Sequence, residues 1–329
     1  MSTKAQHRPI LRLAAAGIAL LLPFAGAVAS PEPIPDEGYL FAHFYFNGES
    51  GLHLAWSSDG LKWHLLNNGE SYLVPEVGES KLMRDPSLIQ GPDGMFHMVW
   101  TTSWAGQTIG YASSPDLLNW SEQRALPVMG HEPRAENCWA PEIIWDPTQE
   151  TYLILWSTTI VGVFPETAMT NRRPSRNHRI YSTTTRDFET FTPSRVHYDG
   201  GYNVIDAALA QTDEDWIMFV KNEELAPVTQ KNIRMLRAPT PYGPFSAPSE
   251  PLSTGDWSEG AFSIRVGDAW HLYYDQHMID EYGLVRSYDL ENWEVMDGKT
   301  SFPPGANHGS FLKVSGDVIR SLVEATPEP

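Results

Sequence analysis

One pattern recurs five times along this chain, and it constrains the fold more than any other feature. A strand runs into a tight turn of small or acidic residues and then an aromatic: LAWSSDGLKW at 54–63, GYASSPDLLNW at 110–120, IYSTTTRDFETF at 180–191, the degenerate MLRAPTPYGPF at 235–245, and LVRSYDLENW at 284–293. The copies stand roughly 50 to 70 residues apart, the length of a four-stranded sheet with its loops. Ahead of each copy lies a strand of alternating aromatic and aliphatic residues: YLFAHFYF at 39–46, FHMVWTTSW at 96–104, YLILWSTT at 152–159, WIMFVKN at 216–222 and WHLYYDQ at 270–276. Such period-2 runs, bounded by turn residues, read as half-buried or buried strands.

A third strand precedes four of these hairpins: RDPSLIQ at 84–90, APEIIWD at 140–146, IDAALAQ at 205–211 and EGAFSIR at 259–265. The fifth, NHGSFLKV at 307–314, lies at the C-terminal end, whereas its partner YLFAHFYF is N-terminal. One sheet is therefore expected to be completed by both ends of the chain, which removes the free edges of an open array. The expectation is an all-β fold, a single five-bladed β-propeller closed by N- and C-terminal strands. No helical run is expected beyond the N-terminal segment.

That segment, residues 1–29, reads as a secretory signal. Lys4, Arg8 and Arg12 are followed by an apolar stretch from Leu13 to Phe24 and an Ala27-Val28-Ala29 cleavage site. The mature domain is then 30–329, and the expected location is secreted or periplasmic. The chain carries 23 Lys and Arg against 41 Asp and Glu, a net charge of −18. So acidic a protein is a poor partner for nucleic acid or an anionic membrane. It also makes an anionic polysaccharide a less natural substrate, unless a local basic pocket overrides the overall charge. A single cysteine, Cys138, excludes internal disulfides and cysteine-based zinc sites, and is expected to be a packed, inert thiol. A monomer is expected.

In a propeller the first strand of each blade lines the central channel. Four of the five strands here begin with an acid and the fifth with a histidine: Asp85, Glu142, Asp206, Glu259 and His308. Charges at the starts of buried strands are costly without compensation. Either they stitch neighbouring blades together or they form a site. Converging carboxylates repel one another and lose solvent, which keeps one protonated near neutral pH. One protonated and one ionised carboxyl group across a channel is what glycoside hydrolysis needs. A hydrolytic zinc site would want two or three histidines, and only His308 is in place.

The series RDPSL, WAPEI, VIDAAL, SEGAF and NHGSF resembles glycoside hydrolase family 43, and the resemblance runs from about Tyr39 to Val318. It implies a general base at Asp85, a modulator of acidity at Asp206 and a general acid at Glu259. It also implies a central calcium or sodium ion that His308 helps to hold through water. Inversion of the anomeric centre follows, with the Asp85 and Glu259 carboxyl groups about 6.5–9.5 Å apart. Where relatives have W-A-P-D or W-A-P-Q this chain has WAPE, so Glu142 is expected to be structural or substrate-binding. Ala208 stands where relatives carry a polar residue. Trp104, Trp139 and Trp257 are candidate sugar platforms, and the 160–178 segment brings Arg172, Arg173 and Arg176 near the funnel. The resemblance favours arabinofuranosyl, xylosyl or galactofuranosyl linkages of plant or algal polysaccharides. The alternatives are an anhydro-galactosidase, a fructan-type five-bladed glycosidase, and a carbohydrate-binding propeller without turnover.

Overall fold

The computed structural model describes residues 33–167, 176–254, 257–276, 278–279, 281–296 and 298–326. The expected signal segment, and Arg172 and Arg173, lie outside the described residues. Residues 34–329 form one compact unit.

The repeated turn has a chemical explanation. Ser57, Ser114, Thr185 and Ser287 each accept a backbone N–H three residues on, at 2.8–2.9 Å. Two residues later Asp59, Asp116, Asp187 and Asp289 each accept the amides two and three residues on through Oδ1. The residue after each aspartate takes a positive φ: Gly60 71°, Leu117 64°, Phe188 56° and Leu290 61°. Side-chain oxygens thus stand in for backbone acceptors and hold a left-handed corner at which the chain reverses. The degenerate copy has Ala238 at the hydroxyl position, and its corner is built around Thr240 and Gly243 instead.

Five sheets result. Blade 1 holds Arg84–Gln90, Phe96–Thr101, Ile109–Ser114 and Arg124–Leu126; blade 2 holds Trp139–Asp146, Thr151–Thr158, Arg179–Thr185 and Arg195–Tyr198. Blade 3 has three strands, Val204–Gln211, Trp216–Asn222 and Asn232–Ala238, with Ser246, Ser249 and Leu252 hydrogen-bonded along the outer one. Blade 4 holds Ser258–Val266, Ala269–Gln276, Glu281–Ser287 and Glu294–Val295. Blade 5 is closed as expected. C-terminal Ala306–Ser315 pairs antiparallel with N-terminal Glu37–Tyr45, which continues into His53–Ser57 and His64–Leu65.

The apolar residues sort into five clusters, each lying between two neighbouring blades. Leu40 and Met98 meet between blades 5 and 1, Tyr111 and Trp156 between 1 and 2, and Phe41 and Tyr273 between 5 and 4. No blade buries its two faces alone, so the ring is the unit of stability.

One expectation is corrected. Gly316–Glu324 forms an α-helix, α1, whose Ile319 and Leu322 are fully buried against the blade 5–blade 1 cluster. Val318, Ile319, Leu322 and Val323 carry the i, i+3, i+4 spacing of an amphipathic helix. At nine residues it is too short for its own periodicity to stand out, and packing stabilises it.

Candidate active site

The inner strands share one irregularity. Each contains a β-bulge where register slips against its partner: between Arg84 and Ser87, Trp139 and Glu142, Ile205 and Ala208, Glu259 and Phe262, and, in blade 5, opposite His308 and Gly309. At the bulge Asp85, Ala140, Asp206 and Gly260 take φ of 51°, 45°, 53° and 59°. A bulge re-aims the side chains around it toward the channel. It also shows which residues correspond. Asp85, Ala140, Asp206, Gly260 and His308 are equivalent, Glu259 stands one residue earlier, and Glu142 two residues later. The five chemistry-bearing residues therefore do not form one ring.

Two layers of hydrogen bonds stitch the blades beside the bulge. In the upper one the amides of Ala140, Asp206, Gly260 and His308 donate to Thr101 Oγ1 (2.8 Å), Ser157 Oγ (3.0 Å), Asp206 Oδ2 (3.2 Å) and Asp275 Oδ2 (3.3 Å). In the lower one Leu88, Ile143 and Leu209 donate to Ser310 Oγ (2.9 Å), Ser87 Oγ (3.2 Å) and Glu142 Oε1 (2.9 Å). Glu142 is thus a stitch between blades 2 and 3, at the position that serine fills elsewhere. Burial drives its pKa well above the usual carboxylate range, and the Leu209 amide and His308 offset that only in part. Ala208 occupies the same layer in blade 3, so the polar group it lacks belongs to the blade 3–blade 4 seam.

Above the bulges opens a pocket of about 240 Å³, lined by Asp85, Asp206, Glu259, His308, Trp104, Trp139 and Trp257 among others. A smaller cavity of about 20 Å³ continues the channel beneath it and shares Asp85, Asp206 and His308; Glu142 lines this lower cavity and not the pocket. The structure therefore brings the three proposed acids and the three tryptophans together and places Glu142 apart.

The three acids differ in surroundings. Asp85 Oδ2 accepts from Thr101 Oγ1 at 2.7 Å, and Oδ1 lies 3.4 Å from His308 Nδ1. Burial pushes Asp85 up, but His308, Arg84 and Thr101 outweigh it and hold the carboxyl below its usual range. His308 is the counterpart: burial lowers it, and Asp85, Asp206 and Glu259 together raise it to about 9. Asp206 is pushed up to about 6 by burial, with Glu259 and Asp85 adding to the rise and His308 and Lys221 opposing it. Glu259 Oε2 accepts a 2.6 Å bond from Lys221 Nζ.

Lys221 is the residue that sequence reading missed. It is 2% exposed and sits at the end of the WIMFVKN strand, 3.0 Å from Glu223 as well. Glu223 also pairs with Lys231. Burial lowers Lys221, and Glu259, Glu223 and Asp206 more than restore its charge. A lysine ending an otherwise apolar buried strand was the available signal, because lysine is almost never fully buried unpaired.

The three tryptophans are not bare platforms. Arg84 lies 4.3 Å over Trp104, Arg176 4.1 Å over Trp139, and Lys231 4.8 Å over Trp257. Trp104 and Trp139 meet edge to face at 5.7 Å, and Trp139 Nε1 donates to Trp104 O. Trp104 is 50% exposed, so one of its faces remains open to a ligand.

For a central ion the donor set is poor. Among the described residues no group of three or more His, Cys, Asp or Glu is arranged to hold a metal. His308 Nδ1 is engaged with Asp85. These side chains do not themselves form a direct ligand set, which leaves contact through water as the arrangement that would involve His308.

The family model described as "Probable glycosyl hydrolase domain", a glycosyl hydrolase family 43-related domain, matches residues 35–318. An alpha-L-arabinofuranosidase of Bifidobacterium longum subsp. longum is 24% identical over 219 residues, which cover 58% of this chain and 20% of that protein. The match thus spans about a fifth of that relative's length. Two solved structures share the fold. A thermostable family-43 glycoside hydrolase has a TM-score of 0.53 at 17% identity, covering 71% of this chain and 80% of its own. An alpha-L-arabinofuranosidase from Lactobacillus brevis has a TM-score of 0.52 at 15% identity, covering 65% and 72%.

Proposed function

The chain belongs to the glycosyl hydrolase family 43-related domain family, and on that premise we propose that it is an O-glycosyl hydrolase acting with inversion on arabinofuranosyl or related linkages. The observation that carries this reading is the convergence of Asp85, Asp206 and Glu259 on one tryptophan-walled pocket. Asp85 is the general base. Thr101 and His308 hold its carboxylate ionised and oriented, ready to take a proton from the attacking water. Glu259 is the general acid and protonates the departing glycosidic oxygen. Lys221 stabilises the carboxylate that this donation leaves behind. Asp206, protonated up to about pH 6 and coupled to Glu259, tunes the acid; its Oδ2 holds the Gly260 amide beside it.

The substrate class rests on the arabinofuranosidase relative and on the family resemblance; xylosyl and galactofuranosyl linkages share the same demands. Secretion rests on the N-terminal pattern at residues 1–29. The test compares 4-nitrophenyl glycosides, whose leaving group needs little protonation, with unactivated oligosaccharides. Asp85→Asn should lose about 10²–10⁴-fold in kcat on both. Glu259→Gln should lose far more on the oligosaccharide than on the nitrophenyl glycoside. NMR of the first-formed product should show the inverted anomer. Absence of turnover by wild type on every glycoside of these classes would sink the reading.

A further inference from the structure

The pocket is far less acidic than the protein as a whole. The whole chain carries −18, yet Arg84, Arg176, Lys221, Lys231 and His308 line a pocket whose acids are Asp85, Asp206, Glu223 and Glu259. Most of these charges are matched internally. Lys221 meets Glu259 and Glu223, Lys231 meets Glu223, and His308 meets Asp85. Arg84 is different. Its guanidinium lies between two rings, 4.7 Å over Phe44 and 4.3 Å over Trp104, and its hydrogen-bond partner is the Asn47 amide oxygen at 3.4 Å. Among the described residues no carboxylate comes within ion-pair distance of it, and Asp85 and Glu49 act on it only through space. Asn47 also accepts from Trp104 Nε1 at 2.8 Å, so ring and guanidinium are oriented by one residue.

A guanidinium fixed between rings at a pocket wall, with most of its donors unspent, is pre-organised for a bidentate oxyanion. Stacking also removes the entropy cost of ordering the side chain at the moment of binding. Cations also stand over the other two indoles at the mouth, Arg176 over Trp139 and Lys231, itself paired with Glu223, over Trp257. Each of the three indoles thus carries a cation over one face.

We propose that the pocket selects a saccharide bearing an anionic substituent, a carboxylate or a sulfate ester, which Arg84 receives. The inference rests on the glycoside-binding reading above and narrows its substrate class. It also supplies the local cation that an acidic protein needs to accept such a sugar.

Calorimetric binding of D-galacturonate, D-galactose 6-sulfate and D-galactose to the wild-type protein tests it without depending on turnover. At least one anionic sugar should bind about ten-fold or more tightly than galactose, and the advantage should shrink at high ionic strength. Preference for galacturonate identifies a uronic acid, and preference for the 6-sulfate a sulfated sugar. Arg84→Met should abolish the advantage. Arg84→Lys, which keeps the charge but not the fork, should retain part of it, with melting temperatures confirming that both variants fold. Equal binding of the three sugars, no binding of any, or an advantage that survives Arg84→Met overturns the proposal. Anionic preference without hydrolysis of any glycoside would instead defeat the catalytic reading alone.

Discussion

Asp85 and Asp206 take the same left-handed conformation, φ 51° and 53°, at the same point of the bulge in blades 1 and 3, yet their protonation is driven in opposite directions. Both are buried. His308 and Thr101 bond directly to Asp85 and hold it low, whereas for Asp206, which receives the Gly260 amide, burial, helped by Glu259 and Asp85, outweighs the pull of His308 and Lys221 and keeps it high. Identical backbone with different neighbours thus separates a base from a proton-holding partner.

The raised Asp206 has a stability consequence. Its folded value of about 6 lies above the ordinary 3.8, so between these the native protein binds a proton that the unfolded chain has released. The contribution is full below pH 4 and is lost as pH rises toward 6. Denaturant melts across this window should show a steeper fall for wild type than for Asp206→Asn. Equal slopes would remove Asp206 as the titrating group.

His308 has the same sign in a higher window. Raised to about 9, it contributes fully below 6.5, and that contribution disappears as pH climbs through 9. His308→Gln should therefore flatten the alkaline loss of stability. The substitution also removes a partner that holds Asp85 low, so the acidic limb of kcat/KM should move to higher pH. A simple structural role would lower stability without moving that limb.

Gly260→Ala probes the bulge itself. At φ 59° an added Cβ is strained, and it would lie 2.4 Å from the His308 ring. A loss of about 1–3 kcal/mol in unfolding free energy is expected. Activity should fall further, since the ring that orients Asp85 has to move. Wild-type stability with wild-type kinetics would contradict the observed packing.

Glu142 should separate stitching from chemistry. Glu142→Ala leaves the buried Leu209 amide without its acceptor and should cost about 1–3 kcal/mol. Glu142→Gln keeps an acceptor oxygen and sheds the cost of burying or protonating a carboxylate, so near neutral pH it should match or exceed wild type in stability. Both variants, where folded, should keep KM and kcat near wild type, because Glu142 lies below the pocket. A large rise in KM for Glu142→Gln would return this residue to the substrate site.

Much of the blade plan was legible because its causes are local. The Ser-x-Asp corners are held within six residues of chain, and the alternating strands announce themselves through side-chain period. The split of blade 5 between the two ends was also readable, since an inner strand at 307–314 lacked a partner other than 39–46. The short helix α1 escaped notice because nine residues carry too little periodicity. Lys221 did too, because its reason for burial lies on another blade, in Glu259.

The sequence by itself determined how many blades there are, how the ring closes and which acids the inner strands carry. These depend on turn chemistry and side-chain alternation, which act between residues close in the chain. Only the tertiary structure decided which of those acids share a pocket. A bulge inserts a residue into every inner strand, and one residue of shift changes the direction a side chain faces. That shift put Glu259 into the pocket, sent Glu142 into the seam below, and left the three tryptophans capped by cations whose positions no local pattern encodes.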